Sequence, residues 1–347
     1  MNNDSENNYN QTSSLSLIFN NFDKKLDFWF LVITIPLGIL LNMISIYIYS
    51  RPNLNKTNMG FFYFHLSIWN TLVLIYYLFV MDSKQIFPYD LTTSSNSACK
   101  IVTFIRRCLR EVPCWIEALI TLERYLTICY PNRKRFKFIK SKSNFLIIIF
   151  ITILTLGLIS VENFFYFLVQ YQQTLNETMI TSSSYKCEST KFIEIFSDMI
   201  SILFRTIIPG ILMSIFSLLL IKQVKHVKKQ SNSYSDKDRH FNTSILLMNL
   251  IFFILNVPVS VMYVIKNIYE NLLNETTNSQ KMVVISIFYV FSYHLANLHY
   301  ITMLFQFLLF NKLFKYEFMI VFGLNPLITK LDKIRSTSSI YHPSSNR

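Results

Sequence analysis

Seven windows of mostly apolar residues recur along this chain, at Phe28–Ser50, Asn58–Met81, Cys99–Cys129, Asn144–Leu168, Phe192–Ile221, Phe241–Ile265 and Met282–Phe310. A helix needs about 20 such residues to cross the hydrocarbon core of a bilayer. In lipid only helices and closed barrels satisfy their own backbone, and these windows are too long and too continuously apolar for barrel strands. The sequence therefore predicts an all-α membrane protein, a bundle of seven transmembrane helices. A content of 52% hydrophobic and 15% charged residues, with only five Gly in 347 residues, excludes an ordinary soluble domain.

Lys and Arg in short loops set the orientation, because they stay on the cytoplasmic side. With the N-terminus outside, the inner segments hold twenty basic residues and the outer segments eight, so that orientation is predicted. The net charge of +13 then reads as a topology signal and an affinity for anionic inner-leaflet lipid, not as nucleic-acid binding. Glycosylation sequons at Asn3, Asn10, Asn176 and Asn274 fall on the outer side, while those at Asn55 and Asn242 fall inside and should stay unmodified. No cleavable signal pattern precedes the first span, which is expected to serve as the insertion signal.

The expected organisation is a polar, Asn/Ser-rich extracellular tail over 1–26, a seven-helix domain over 27–310, an interfacial helix over 311–322 and a cytoplasmic tail over 323–347. The interfacial helix rests on the stretch FNKLFKYEFMIVF, which sets Phe310, Leu313, Phe314 and Phe318 on one face with Lys312 and Lys315 beside it. The outer stretch Val169–Lys191 is the longest outer connection and contains Cys187.

The third span ends in the triplet Glu123-Arg124-Tyr125. Charge is costly at membrane depth, so an ionisable residue at the end of a span is a functional candidate to be named with its partner. Cys99 stands 25 residues before Arg124, which at the helical rise is about 37 Å, the thickness of a bilayer with its interfaces. Pro131 follows seven residues after the arginine.

With seven spans, these spacings and this orientation, the chain resembles the rhodopsin-like (class A) G-protein-coupled receptors from Phe28 to Phe322, as a divergent member of the invertebrate peptide-receptor type. The resemblance implies an extracellular ligand, a heterotrimeric G protein and arrestin as partners, no cofactor and no catalysis. It implies a switch built on Glu123, Arg124 and Tyr125. The family places an acid 20 residues before the proline of the sixth helix, so Pro258 points to Asp238 as the partner of Arg124 in the inactive state. A solvated loop charge between Lys237 and Arg239 is the competing reading of Asp238. Pro209 and Asn42 match the family's residues in helices five and one.

Cys99 and Cys187 both fall outside, where disulfides persist, and are expected to pair. Cys108, Cys114 and Cys129 read as buried or reduced thiols. Several positions depart from the family's pattern. Asn70 replaces the acid of the second helix, Asn256 the tryptophan of the sixth and Ser217 the tyrosine of the fifth, whereas Phe252 keeps the aromatic one turn before Asn256. Met303, Leu304 and Phe307 stand for Asn, Pro and Tyr in the seventh.

Charge also marks a ligand site. Arg106 and Arg110 share one face of the third span, with Arg107 and Glu111 adjacent, and Arg205 lies four residues before Pro209. Internal neutralisation would pair Arg205 with Glu162 and one arginine of the third span with Glu111. A free arginine fork suits a carboxylate, a phosphate or a C-terminal amide carbonyl, and repels a cationic amine. Tyr263, Tyr289 and Tyr293 could line the apolar part, whereas His294 and His299 read as packing or polar-network residues. The chain is thus expected to be a receptor for an extracellular peptide or acidic ligand, most readily a neuropeptide. A chemosensory receptor for a small acid is the alternative within the same fold. A seven-helix transporter is the alternative outside it, although no repeat between the two halves is visible. No Gly-rich phosphate loop, metal-spaced His/Cys cluster or nucleophile constellation stands out.

Overall fold

The structure is a computed structural model and describes residues 21–81, 90–130, 142–174, 181–230, 236–271 and 280–324. The bundle helices in chain order are α1 (Asn21–Ser50), α2 (Asn58–Val80), α3 (Asn96–Cys129), α4 (Asn144–Phe165), α5 (Lys191–Val224), α6 (Asp236–Asn271) and α7 (Gln280–Phe310), and α8 (Lys312–Val321) follows. Helix starts are marked by side chains that take up otherwise unmet backbone donors. The Thr57 hydroxyl accepts from Gly60 N, the Ser95 hydroxyl from Ala98 N and Asn311 Oδ1 from Phe314 N.

Six of these helices are long and apolar enough to cross a membrane. The seventh, α3, is charged, and the fold shows why it can be. Arg107, Glu111, Glu117 and Glu123 are buried inside the bundle, whereas Ile101 and Ile105 point outward. The exposed faces of the other helices carry Phe150, Leu158, Leu218 and Leu309, a surface suited to lipid and not to water.

Prolines shape α1 and α5. In α5 a π-turn covers Leu203–Ile207, so Ile208 N donates to Leu203 O, five residues back. Pro209 has no N–H with which to continue that pattern to Phe204 O. The indole Nε1 of Trp115 donates to this carbonyl at 2.9 Å. The widened turn carries Arg205 and is fixed to α3 by that bond. In α1 a π-turn at Phe30–Thr34 likewise precedes Pro36.

Two large apolar clusters and a smaller one around Met213 and Phe252 fill the bundle. The inner one joins Tyr49, Phe62, Tyr63, Phe145, Phe307 and Phe314, with Phe62 and Phe145 stacked at 3.7 Å. The outer one joins Phe30, Leu31, Val73, Tyr77 and Tyr300. Between them α1 approaches α2 and α7 so closely at Gly38 that a Cβ there would lie 2.6 Å from Ile301 Cγ1.

The long outer stretch is more ordered than a loop. Strands β1 (Phe167–Thr174) and β2 (Thr181–Glu188) form an antiparallel hairpin in which Leu168 faces Cys187. Cys187 is disulfide-bonded to Cys99 at the start of α3, with Cα atoms 5.6 Å apart. Cys108, Cys114 and Cys129 are free thiols. The fourth helix ends at Phe165, three residues before the apolar window does, because the chain turns there into β1. At the inner end Glu317 of α8 is fully buried; Arg51 Nε lies 2.7 Å from its Oε2, and Asn53 Nδ2 donates to its Oε1. These contacts tie α8 to the connection after α1.

Candidate functional site

The outer half of the bundle holds a cleft with a cavity volume of about 90 Å³ between α3, α5, α6 and α7. Arg110 of α3 and Arg205 on the π-turn of α5 both line it, together with Asp198, Tyr263, Tyr289 and Tyr293. Arg110 lies eleven residues beyond Cys99 in α3, so its Cα sits about 16 Å below Cys99 along the helix axis.

The two cavity arginines have unmet donors. Arg205 is 4% exposed, and its Nε and Nη2 have no hydrogen-bond partner among the described residues. The Nε of Arg110 is likewise buried and without one. Neither guanidinium is in an ion pair among the described residues. The acid in the same cleft is occupied on one oxygen, because the Tyr263 hydroxyl donates to Asp198 Oδ2.

Arg107 is placed differently, although it adjoins Arg106 and lies three residues before Arg110 in the chain. Its Nε lies 3.1 Å from Glu111 Oε1, and its Nη1 contacts Glu162 of α4 and, at 2.7 Å, the Ser197 hydroxyl of α5. This cluster joins three helices beside the cleft without lining it. Glu162 thus goes to Arg107, and the pairing with Arg205 expected from internal neutralisation does not form. Arg107 reaches Glu162 of α4, whereas Arg110 lines the cleft with Tyr289 and Tyr293 of α7. Arg106 is half-buried and within electrostatic range of Asp198 and Tyr166.

At the inner end Glu123 is buried and accepts from the Thr127 hydroxyl at 3.0 Å, while Arg124 Nε lies 4.0 Å from Glu123 Oε2. Tyr125 stacks on Phe216 of α5 with ring centroids 5.7 Å apart. Pro258 lies within α6, and Asp238 lies in the first turn of that helix, with its side chain outside the described residues. Asn3, Asn10, Asn176 and Asn274 also lie outside the described residues.

Two of the positions that depart from the family's pattern, Asn70 and Met303, contact one another. Asn70 Nδ2 and the Ser67 hydroxyl both reach Met303 Sδ at 3.8 Å. Asn249 Nδ2 donates to the Ser217 hydroxyl at 2.6 Å, and the Thr121 hydroxyl to Asn249 Oδ1 at 3.3 Å. Asn42 Nδ2 bridges Gly38 O and Tyr300 O.

Three features escaped sequence reasoning. Asp198 lies seven residues before Arg205 and so on the same face of α5, a spacing that could have placed it in the site. Glu117 and His299, both buried, meet with 3.1 Å between Oε1 and Nε2, joining α3 to α7. Asp23, Asp27 and His294 cluster between α1 and α7. The last two groups pair residues far apart in the chain, and no local pattern points to them.

A comparison with protein families settles the class. The family model for the 7 transmembrane receptor (rhodopsin family) matches residues 41–301. The chain belongs to the rhodopsin family of seven-transmembrane receptors. No curated protein matches it significantly. As a rhodopsin-family receptor it is a multi-pass plasma-membrane protein, not an enzyme, and it passes an extracellular ligand signal to a G protein. The lipid-facing helices and the Cys99–Cys187 bridge agree with that membership.

Proposed function

We propose that this receptor responds to a peptide, of the neuropeptide type, whose carboxylate or C-terminal amide carbonyl lies between Arg110 and Arg205. The observation that carries the reading is the buried Arg205 guanidinium, which lines the cleft with two unmet donors. A buried cation without a partner is costly, and an anionic or carbonyl-bearing ligand would relieve that cost on arrival. Asp198 gives the same cleft a place for a ligand cation, as a peptide would supply. Arg106 attracts anionic ligand from the outer side, and Arg107 with Glu111 holds the wall of the site.

Ligand contact on α5, α6 and α7 is then carried inward to Glu123, Arg124 and Tyr125, where α6 pivots at Pro258 and the Arg124 to Asp238 pair opens for a G protein or arrestin. Replacing Asp238 by Ala should raise ligand-free signalling in a receptor that reaches the surface normally; unchanged basal activity would remove that pair from the switch.

The ligand reading is tested on cells that express the receptor with a promiscuous G protein, screened with peptides and organic acids. Arg110→Ala and Arg205→Ala should each raise the effective ligand concentration at least tenfold at unchanged surface level. If both variants respond like the parent, the anion site is lost as an explanation. A response to small acids alone favours the chemosensory alternative.

A further inference from the structure

The outer end of α1 and the middle of α7 bring together three metal-ligating side chains that play no part in the cleft. Asp23 and Asp27 are four residues apart, so both carboxylates project from one face of α1 toward α7. His294 of α7 completes the group, and one ligand atom from each of the three lies within 4.8 Å of the others. Among the described residues neither carboxylate is in an ion pair with Lys or Arg, so two like charges stand together with only the His294 ring against them.

His294 provides the second observation. The residue is 8% exposed, held between Phe30 at 4.8 Å and Tyr293 at 5.7 Å between ring centroids. Its Nε2 lies 2.9 Å from Asp27 Oδ1, yet neither ring nitrogen has a partner with hydrogen-bond alignment. A buried imidazole aimed at two carboxylates without a hydrogen bond to either is arranged as a ligand set.

We propose that Asp23, Asp27 and His294 form an extracellular Zn²⁺ site that ties α1 to α7. The donor set decides the ion. One imidazole nitrogen with two carboxylate oxygens suits Zn²⁺ and its neighbours, whereas Mg²⁺ and Ca²⁺ take oxygen ligands throughout. Three protein ligands leave the fourth tetrahedral position to water. Asp27 is 33% exposed on its side chain, which leaves the site open to outside solution. His294 adjoins Tyr293, which lines the cleft, so a bound ion fixes the turn of α7 next to the ligand site.

The test uses the full-length receptor in lipid nanodiscs, titrated with Zn²⁺ and read by equilibrium binding and by thermal unfolding. The parent should bind Zn²⁺ at micromolar concentration and unfold at a higher temperature when loaded. His294→Ala and the isosteric Asp27→Asn should each weaken that binding at least tenfold and abolish the thermal shift, while Zn²⁺ held by other histidines remains as a common background. Asp23→Asn, at a half-buried position, should do the same with the least risk to folding. The proposal is overturned if the parent shows no binding above the background of His294→Ala, if Asp23→Asn and Asp27→Asn both bind like the parent, or if Ca²⁺ competes at equal concentration.

Discussion

Arg107 and Arg205 lie in the same outer half of the bundle, are about equally buried at 6% and 4% exposed, and differ in what surrounds them. Arg107 is met by Glu111, Glu162 and Ser197, so its charge is spent on joining α3, α4 and α5. Arg205 faces a cleft with its Nε and Nη2 unmet. The difference teaches that burial alone does not mark a ligand residue. What marks it is a buried charge whose partner is not supplied from within the fold.

The comparison breaks most readily at Arg107. Removing it leaves two carboxylates facing each other without a cation, and breaking a buried pair in this way costs about 3–5 kcal/mol. Arg107→Ala should therefore lower the unfolding temperature and surface level of the ligand-free receptor sharply. Arg205→Met should act in the opposite direction, because it exchanges an uncompensated charge for an apolar side chain of similar length. Stabilisation of about 1–4 kcal/mol is expected for the free receptor, together with loss of ligand response. Thermal unfolding of the two purified variants reads both signs, and a fall of similar size in both would erase the distinction.

The fold was largely legible in the sequence because spanning a bilayer leaves a signal about twenty residues long that needs no tertiary context. Helix α3 shows the limit of that signal. Its charges keep it out of the six most apolar helices, although its window Cys99–Cys129 is among the seven that the sequence shows and the distance from Cys99 to Arg124 supports it. Side-chain partners were legible only in part. The bond between Cys99 and Cys187 followed from compartment and elimination, but Glu162 had two arginines to choose from. The choice depended on helix rotation, which sequence spacing constrains within one helix and not between two. His299 shows the same limit, since an isolated histidine on an apolar helix reads as packing until Glu117 is seen opposite it.

That inner pair provides a smaller test of the same contrast. Glu117 Oε1 and His299 Nε2 lie 3.1 Å apart across α3 and α7, with Thr121 and Phe252 packed around them. Removing either partner alone should cost about 1–3 kcal/mol, because the survivor is left buried and unsatisfied. Glu117→Leu combined with His299→Leu should recover much of that loss, and a double-mutant cycle on the unfolding temperature measures the coupling. Additive losses would mean that the two side chains do not depend on one another.

The smallest effect is expected where the inner network has exchanged polar groups for a thioether. Met303 Sδ accepts from Asn70 and Ser67 at 3.8 Å, a length at which sulfur is a weak acceptor, and the Ser67 hydroxyl also donates to Tyr63 O at 2.9 Å. Met303→Leu keeps the volume and removes the sulfur, so it should cost less than about 1.5 kcal/mol and leave ligand-driven signalling near the parent level. Met303→Asn instead puts an amide against Asn70 in the space of a longer side chain. It should restore hydrogen bonding between α2 and α7 while opening a void beside Phe307, with a modest net loss of stability. If Met303→Leu silences the receptor, the sulfur contacts transmit the signal between α2 and α7, and the inner half is as finely tuned as the cleft.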